Sequence, residues 1–322
     1  MTAPAEPKQF AISFAEKCDR GLVRAENQDS VLHATTPLGE LLIVADGMGG
    51  YEGGAVASRI VVETIAAYFA NLPANYLPAM AIRESILRAN AEILAAASVP
   101  GSPYAHMGST IVMALLQPSS ASLDRGPLVP NAVLKAWIGH VGDSRAYHVH
   151  DRHLYRVTSD HSAVQAMVDR NLITPEQAIN HPDSSVLTRS LGHEIEVDAD
   201  IDSVQLEPGD SLFLCSDGLW GYVDERAIES VAANPALDVE TASAALLELA
   251  LAAGGRDNVG IEMVRITNGA AGAQANSRAS AFLATRTFGK YRFFEMLAVL
   301  LFTLAAIGGL TYFACFEHWF HF

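Results

Sequence analysis

Residues 41–54 read LLIVADGMGGYEGG. An apolar run suited to a buried strand stops on a carboxylate, Asp46, and glycines crowd in behind it. Two ordinary readings fit this stretch by itself. Asp46 and the glycines make a tight turn, or the glycines cradle a nucleotide at a strand-to-helix junction. The dinucleotide fingerprint fails at Gly47, Gly49 and Glu52, and no Lys-Ser or Lys-Thr pair follows to make a phosphate loop. The choice then depends on the rest of the chain.

The chain has 322 residues, half of them hydrophobic, which is enough for one large catalytic domain with an appendage. Its formal net charge of −15 argues against a nucleic-acid partner, whose phosphates need Lys and Arg. Cys18, Cys215 and Cys315 are distant from one another and odd in number, so they form neither a disulfide framework nor a zinc spacing, and they suit a reducing compartment. No signal peptide is expected in MTAPAEPKQF, and residues 1–9 read as disordered.

Apolar spacing predicts helices over 53–72 and 78–97. Strands are expected in STIVMALLQ, NAVLKAWIGHVGDS and RAYHVHDRHLYRVT, with HDRH turning a hairpin. Residues 162–191 turn helical and polar, with Thr174-Pro175 as a helix start. DSLFLCSD is a strand, two helices follow over 224–252, and NVGIEMVRI closes the domain as a strand. Strands and helices come in blocks, not in strict alternation. That predicts an α+β fold of antiparallel sheets covered by helices over residues 10–266. Residues 267–292 read as a linker. Within 293–316, residues 296–316 (MLAVLLFTLAAIGGLTYFACF) carry no charge, enough for a helix of about 30 Å, the thickness of a bilayer core. Arg286, Lys290 and Arg292 precede this segment, and the tail 317–322 is short. The positive-inside rule therefore predicts a single-pass inner or plasma membrane protein with its catalytic domain in the cytoplasm.

The Asp-Gly of VADG has an echo in SLFLCSDG, where Asp217 ends an apolar run. Asp257 in GGRDNVGIEMV stands just before a strand, and Asp29 closes RAENQD ahead of SVLHA. Brought together in a sheet, such acids repel unless a cation lies between them. An all-oxygen set selects a hard ion, Mg²⁺ or Mn²⁺. A glycine after the acid lets the backbone come close to that ion.

RAENQD, VADGMGG, MGST, GHVGDSR, TSDHS, LTRSLG, CSDGLW and GGRDN occur in the order found in the PP2C-type (PPM) metal-dependent Ser/Thr protein phosphatases, and the chain resembles the bacterial members of that family over residues 10–266. The resemblance implies a four-layer αββα sandwich of two antiparallel sheets flanked by helices, with metals in the channel between the sheets. It implies Asp46 bridging two ions, the Gly47 carbonyl on one and Asp217 and Asp257 on the other. A third ion would involve Asp143, and Asp29 would act through an ion-bound water. Arg24 would clamp the substrate phosphate, 162–191 would be a flap beside the site, and Asn258 would be a support. The implied activity is hydrolysis of phosphoserine and phosphothreonine on cytoplasmic proteins by a water bridging two Mn²⁺ or Mg²⁺ ions, opposing a cognate Ser/Thr kinase and acting on its substrates. Some relatives carry His where this chain has Met48, which leaves the proton source open between a metal-bound water and His161, the latter read as structural. Two other functions fit the sequence: a catalytically inactive binding module of the same fold, and a hydrolase of a small phosphoester. Intact Asp46, Asp217 and Asp257 argue against the first.

Overall fold

The computed structural model describes residues 10–49, 53–101, 103–118, 134–179 and 181–268. These lie in the first of two compact units, Met1–Gly272; the second, Ala273–Phe322, is outside the described residues. The expected N-terminal segment, membrane span and tail therefore fall outside them, as does the linker from residue 269 onward. In chain order the elements are β1 (Phe10–Asp19), β2 (Asp29–Thr36), β3 (Gly39–Met48), α1 (Gly53–Ala70), α2 (Pro78–Ala97), β4 (Gly108–Ser109), β5 (Ile111–Pro118), β6 (Leu134–Val141), β7 (Arg145–His150), β8 (His153–Arg156), α3 (Ala163–Asp169), α4 (Pro175–Ile179), β9 (Asp200–Leu206), β10 (Ser211–Cys215), α5 (Asp217–Trp220), α6 (Glu225–Ala232), α7 (Val239–Ala252) and β11 (Val259–Asn268).

Two antiparallel sheets result, one ordered β1-β11-β10-β7-β8 and the other β2-β3-β5-β6-β9, with β4 paired to β3. Side-chain alternation explains why the central strands read as unbroken apolar runs. On β3, Leu41, Ile43 and Ala45 pack under α1 and α2, while Leu42 and Val44 face the other sheet. On β10, Phe213 and Cys215 pack beneath α6 and α7, while Leu212 and Leu214 face inward between the sheets. Helix α1 lays Ala57, Val61, Ile65 and Phe69, four residues apart, onto its sheet, all fully buried. The layers are thus helix, sheet, sheet, helix, as expected.

The same alternation aims the acids. Asp46 shares the inward face of β3 with Leu42 and Val44, and Asp29 lies directly opposite it across the β2–β3 ladder. Residues 162–191 hold two short helices, α3 and α4, and turns. A Ser162–Leu187 bridge ties the two ends of the segment together, and a Ser109–Leu191 bridge fixes its exit beside the end of β3.

Candidate active site

The inward-facing strand ends open onto a cleft of about 1000 Å³, lined by Arg24, Asp46, Gly47, Asp143, Asp217, Asp257 and Asn258, with Arg189 and His193 on the side of the 162–191 segment. Six of the seven residues expected to form the site line this cleft. The seventh, Asp29, sits behind Asp46, 6% exposed.

The end of β3 is held by backbone. Thr110 N–H donates to the Asp46 carbonyl at 2.8 Å, and Gly47 N–H donates to the Gln28 carbonyl at 3.1 Å. Asp46 N–H donates to Thr110 Oγ1 at 3.1 Å, and Ser109 Oγ donates to the Asp46 carbonyl at 3.0 Å. The glycines also have a packing purpose. A Cβ on Gly47 would overlap the Gly54 carbonyl at the start of α1, and one on Gly218 would overlap the Asn258 carbonyl ahead of β11. Both positions are glycine because backbone packs against backbone there, which brings the acid-bearing segments together.

Asp29 is fixed across the sandwich. Ser216 Oγ donates to Asp29 Oδ2 at 2.6 Å and accepts Gly260 N–H at 2.8 Å. Asn258 ties down the loop carrying Arg24: its amide donates to the carbonyls of Arg20 and Glu26, and its oxygen accepts Gln28 N–H, all at 2.8–2.9 Å. Asp143 stands in a loop set by Arg145, whose guanidinium donates twice to Asp160 at 2.9 and 2.7 Å and stacks on Trp220. Arg24 is half-exposed at the cleft mouth and donates to Asp257 Oδ2 at 2.6 Å.

Burial, together with the charges of Asp217 and Asp257, pushes the Asp29 carboxyl up to about 7, against the Ser216 hydrogen bond. Burial and Asp217 push Asp143 up to about 8. Burial and Asp257 raise Asp217 to about 6, and burial with Asp29, Asp217, Asp143 and Asp257 drives Asp46 well above the carboxylate range. Among the described residues, no N–H or O–H donor reaches Asp29 Oδ1 or Asp217 Oδ1, although both are buried. Buried, mutually repelling carboxylates with orphaned oxygens fit divalent cations with oxygen ligands.

Histidine placement separates two readings. His161 is buried off the cleft: its Nδ1 accepts Gly142 N–H at 3.2 Å and its Nε2 faces Asp200 Oδ2 at 3.2 Å, a structural placement. The imidazole lining the cleft is His193, bonded through Nδ1 to Ser190 Oγ at 2.9 Å. Sequence reasoning gave no role to His193 or Ser216. Ser216 had a signal, a hydroxyl adjoining Asp217 at a buried strand end; His193 had none.

The Protein phosphatase 2C family model matches residues 23–252. The serine/threonine protein phosphatase PstP of Mycobacterium tuberculosis is 34% identical over 260 residues, 80% of this chain and 46% of that protein, so the chain spans about half the length of that relative. The serine/threonine phosphatase stp of Listeria monocytogenes is 32% identical over 253 residues, 77% of this chain and 93% of the relative. The crystal structure of the PstP catalytic domain in complex with two manganese ions superposes with a TM-score of 0.65 at 33% identity, covering 80% of this chain and all of that one.

Proposed function

The chain belongs to the protein phosphatase 2C family, and from that premise we propose that it is a metal-dependent protein phosphatase, hydrolysing phosphoserine and phosphothreonine on cytoplasmic proteins and opposing a Ser/Thr kinase. The observation that carries this reading is the gathering of Asp46, Asp217 and Asp257 on one cleft, with Asp29 behind them and Arg24 at the mouth. An inactive module of this fold has no use for so many raised, orphaned carboxyls.

In this reading Asp46, the Gly47 carbonyl, Asp217 and Asp257 would hold two Mn²⁺ or Mg²⁺ ions, and Asp143 would help hold a third. When bound, the ions supply a water activated near neutral pH and positive charge against the phosphoryl oxygens. The protein's own groups do the rest. Asp29, locked by Ser216, orients the attacking water from behind Asp46. Arg24 leaves Asp257 and takes the phosphate through its forked N–H donors, neutralising charge in the transition state. Asn258 holds the Arg24 loop in place during that exchange. Met48 cannot donate a proton and His161 is walled off, which leaves water or the cleft-lining His193 to protonate the leaving alkoxide.

The membrane anchor belongs to the same proposal. Its support is the uncharged run 296–316 with basic residues before it. Within the described residues, the one helix long and apolar enough to span is α1, and it packs on its sheet.

Phosphate release from a phosphothreonine peptide should require Mn²⁺ and disappear in Asp46→Ala and Asp217→Ala. Metal-independent release, or full activity in both variants, overturns the mechanism. For the anchor, cell fractionation should find the full chain with membranes and a chain ending at residue 289 in the soluble fraction.

A further inference from the structure

Strand β10 has a second buried acid at the end away from Asp217. Asp210, 4% exposed, closes the turn before the strand. Its backbone is fixed on both sides: its N–H donates to the Glu207 carbonyl at 3.0 Å and its carbonyl accepts Ile266 N–H at 2.9 Å. Its carboxylate accepts Glu207 N–H at 3.0 Å and points at two imidazoles. His148 Nε2 is 2.9 Å from Oδ2 and His150 Nδ1 is 2.9 Å from Oδ1. The histidines are two apart on β7 and so share one face.

Donor atoms of these three residues all lie within 4.8 Å of one another. Among the described residues, the nitrogens facing Asp210 receive no backbone N–H, unlike His161, whose Nδ1 is committed to Gly142 and whose neighbour Asp200 is paired with Arg189. Asp151 Oδ2 lies 3.5 Å from His150 Nε2, positioned to accept that ring's N–H when Nδ1 is a ligand. Among the described residues, no Lys or Arg pairs with Asp210 or Asp151. The side chain of His150 is 37% exposed, which leaves a path to solvent.

We propose that His148 Nε2, His150 Nδ1 and an Asp210 oxygen form a zinc-class metal site, with water as fourth ligand. Two imidazoles and one carboxylate are borderline donors that favour Zn²⁺ over Mg²⁺. The site is separate from the all-oxygen cleft, roughly 20 Å along the strand. In the metal-free form, N–H protons occupy the space between ring and carboxylate; on binding, each ring holds its proton on the nitrogen facing away.

The test is calorimetric titration of ZnCl₂ into the full-length protein in detergent with Mg²⁺ in excess, followed by Co²⁺ absorption spectra. Wild type and Asp217→Asn should each bind one zinc. His148→Gln and His150→Gln should weaken binding on the order of 100-fold, while Mn²⁺-dependent phosphatase activity persists and reports intact folding. Because His150 is half-exposed, its variant carries the test if His148→Gln does not fold. The site is overturned if wild type binds no zinc beyond the cleft, if Asp217→Asn abolishes binding, or if both histidine variants bind zinc as wild type does.

Discussion

The two ends of β10 solve one electrostatic problem in opposite ways. Asp210, buried, and Asp217, partly buried at the cleft, flank the same five-residue strand. Around Asp210, burial pushes the carboxyl up, but His148, the Glu207 N–H and His150 together hold it below the usual range. Around Asp217, burial and the charge of Asp257 push it up to about 6, and one oxygen has no donor. An acid given enough hydrogen-bond donors is satisfied without a cation, and a metal at Asp210 has to displace the ring N–H donors that now face it. The same residue among other acids stays short of positive charge, and its neighbourhood is organised to receive it.

That contrast can be broken most directly at the cleft. Asp217→Asn and Asp46→Ala should each reduce kcat/KM by about 10³-fold or more in Mn²⁺, whereas Asp210→Asn should leave the catalytic rate within about threefold. Stability should invert the order: Asp210→Asn breaks a satisfied carboxylate network and should cost about 3 kcal/mol in denaturant unfolding. Asp217→Asn should instead raise the melting temperature in chelator at pH 8, because it removes a repelling charge. Finding the two variants equally destabilised in chelator would erase the distinction.

Chelation sharpens the comparison further. Asp29, Asp143 and Asp217 titrate near 7, 8 and 6 in the fold, against about 3.9 in an unfolded chain. Raised carboxyl pKa values mean the metal-free native state holds protons that the unfolded state has lost. Metal-free stability should therefore fall as pH rises from about 4 to about 8. Added Mn²⁺ should raise the melting temperature more at pH 8 than at pH 5.5, and differential scanning calorimetry checks this. The smallest effect concerns Glu262, fully buried on β11, its carboxyl raised first by burial and then by the carboxyl of Glu16 opposite it. Glu262→Gln should stabilise the protein by about 1 kcal/mol at pH 8 and less at pH 5.

Much of this was legible in the chain because the central strands are buried on both faces and leave uninterrupted apolar runs. β3 and β10 stand out for that reason, and so do the acids that end them. β1 and β9 were not read as strands. Both are sheet edges, and partial exposure mixes polar residues such as Glu16, Lys17, Asp202 and Ser203 into their pattern. The segment 162–191 was read as helical and polar, but α3 and α4 cover only 163–169 and 175–179 of it. Local propensity there is overridden by the bridges to Leu187 and Leu191. The acids that line the cleft stand out in the sequence; the Ser216 hydroxyl that fixes Asp29 and the cleft position of His193 depend on the packing of distant segments, which no local pattern carries.

The direct backbone contact between Gly47 and Gly54 has an evolutionary consequence. Where two side chains touch, a change in one can be offset by a change in the other, and lineages drift through such pairs. Where Gly47 meets Gly54, and Gly218 meets Asn258, at least one partner offers only main chain, which no substitution can trim. Mutational paths through positions 47 and 218 therefore have no compensating exit, and the acids beside them inherit a frame that cannot be renegotiated.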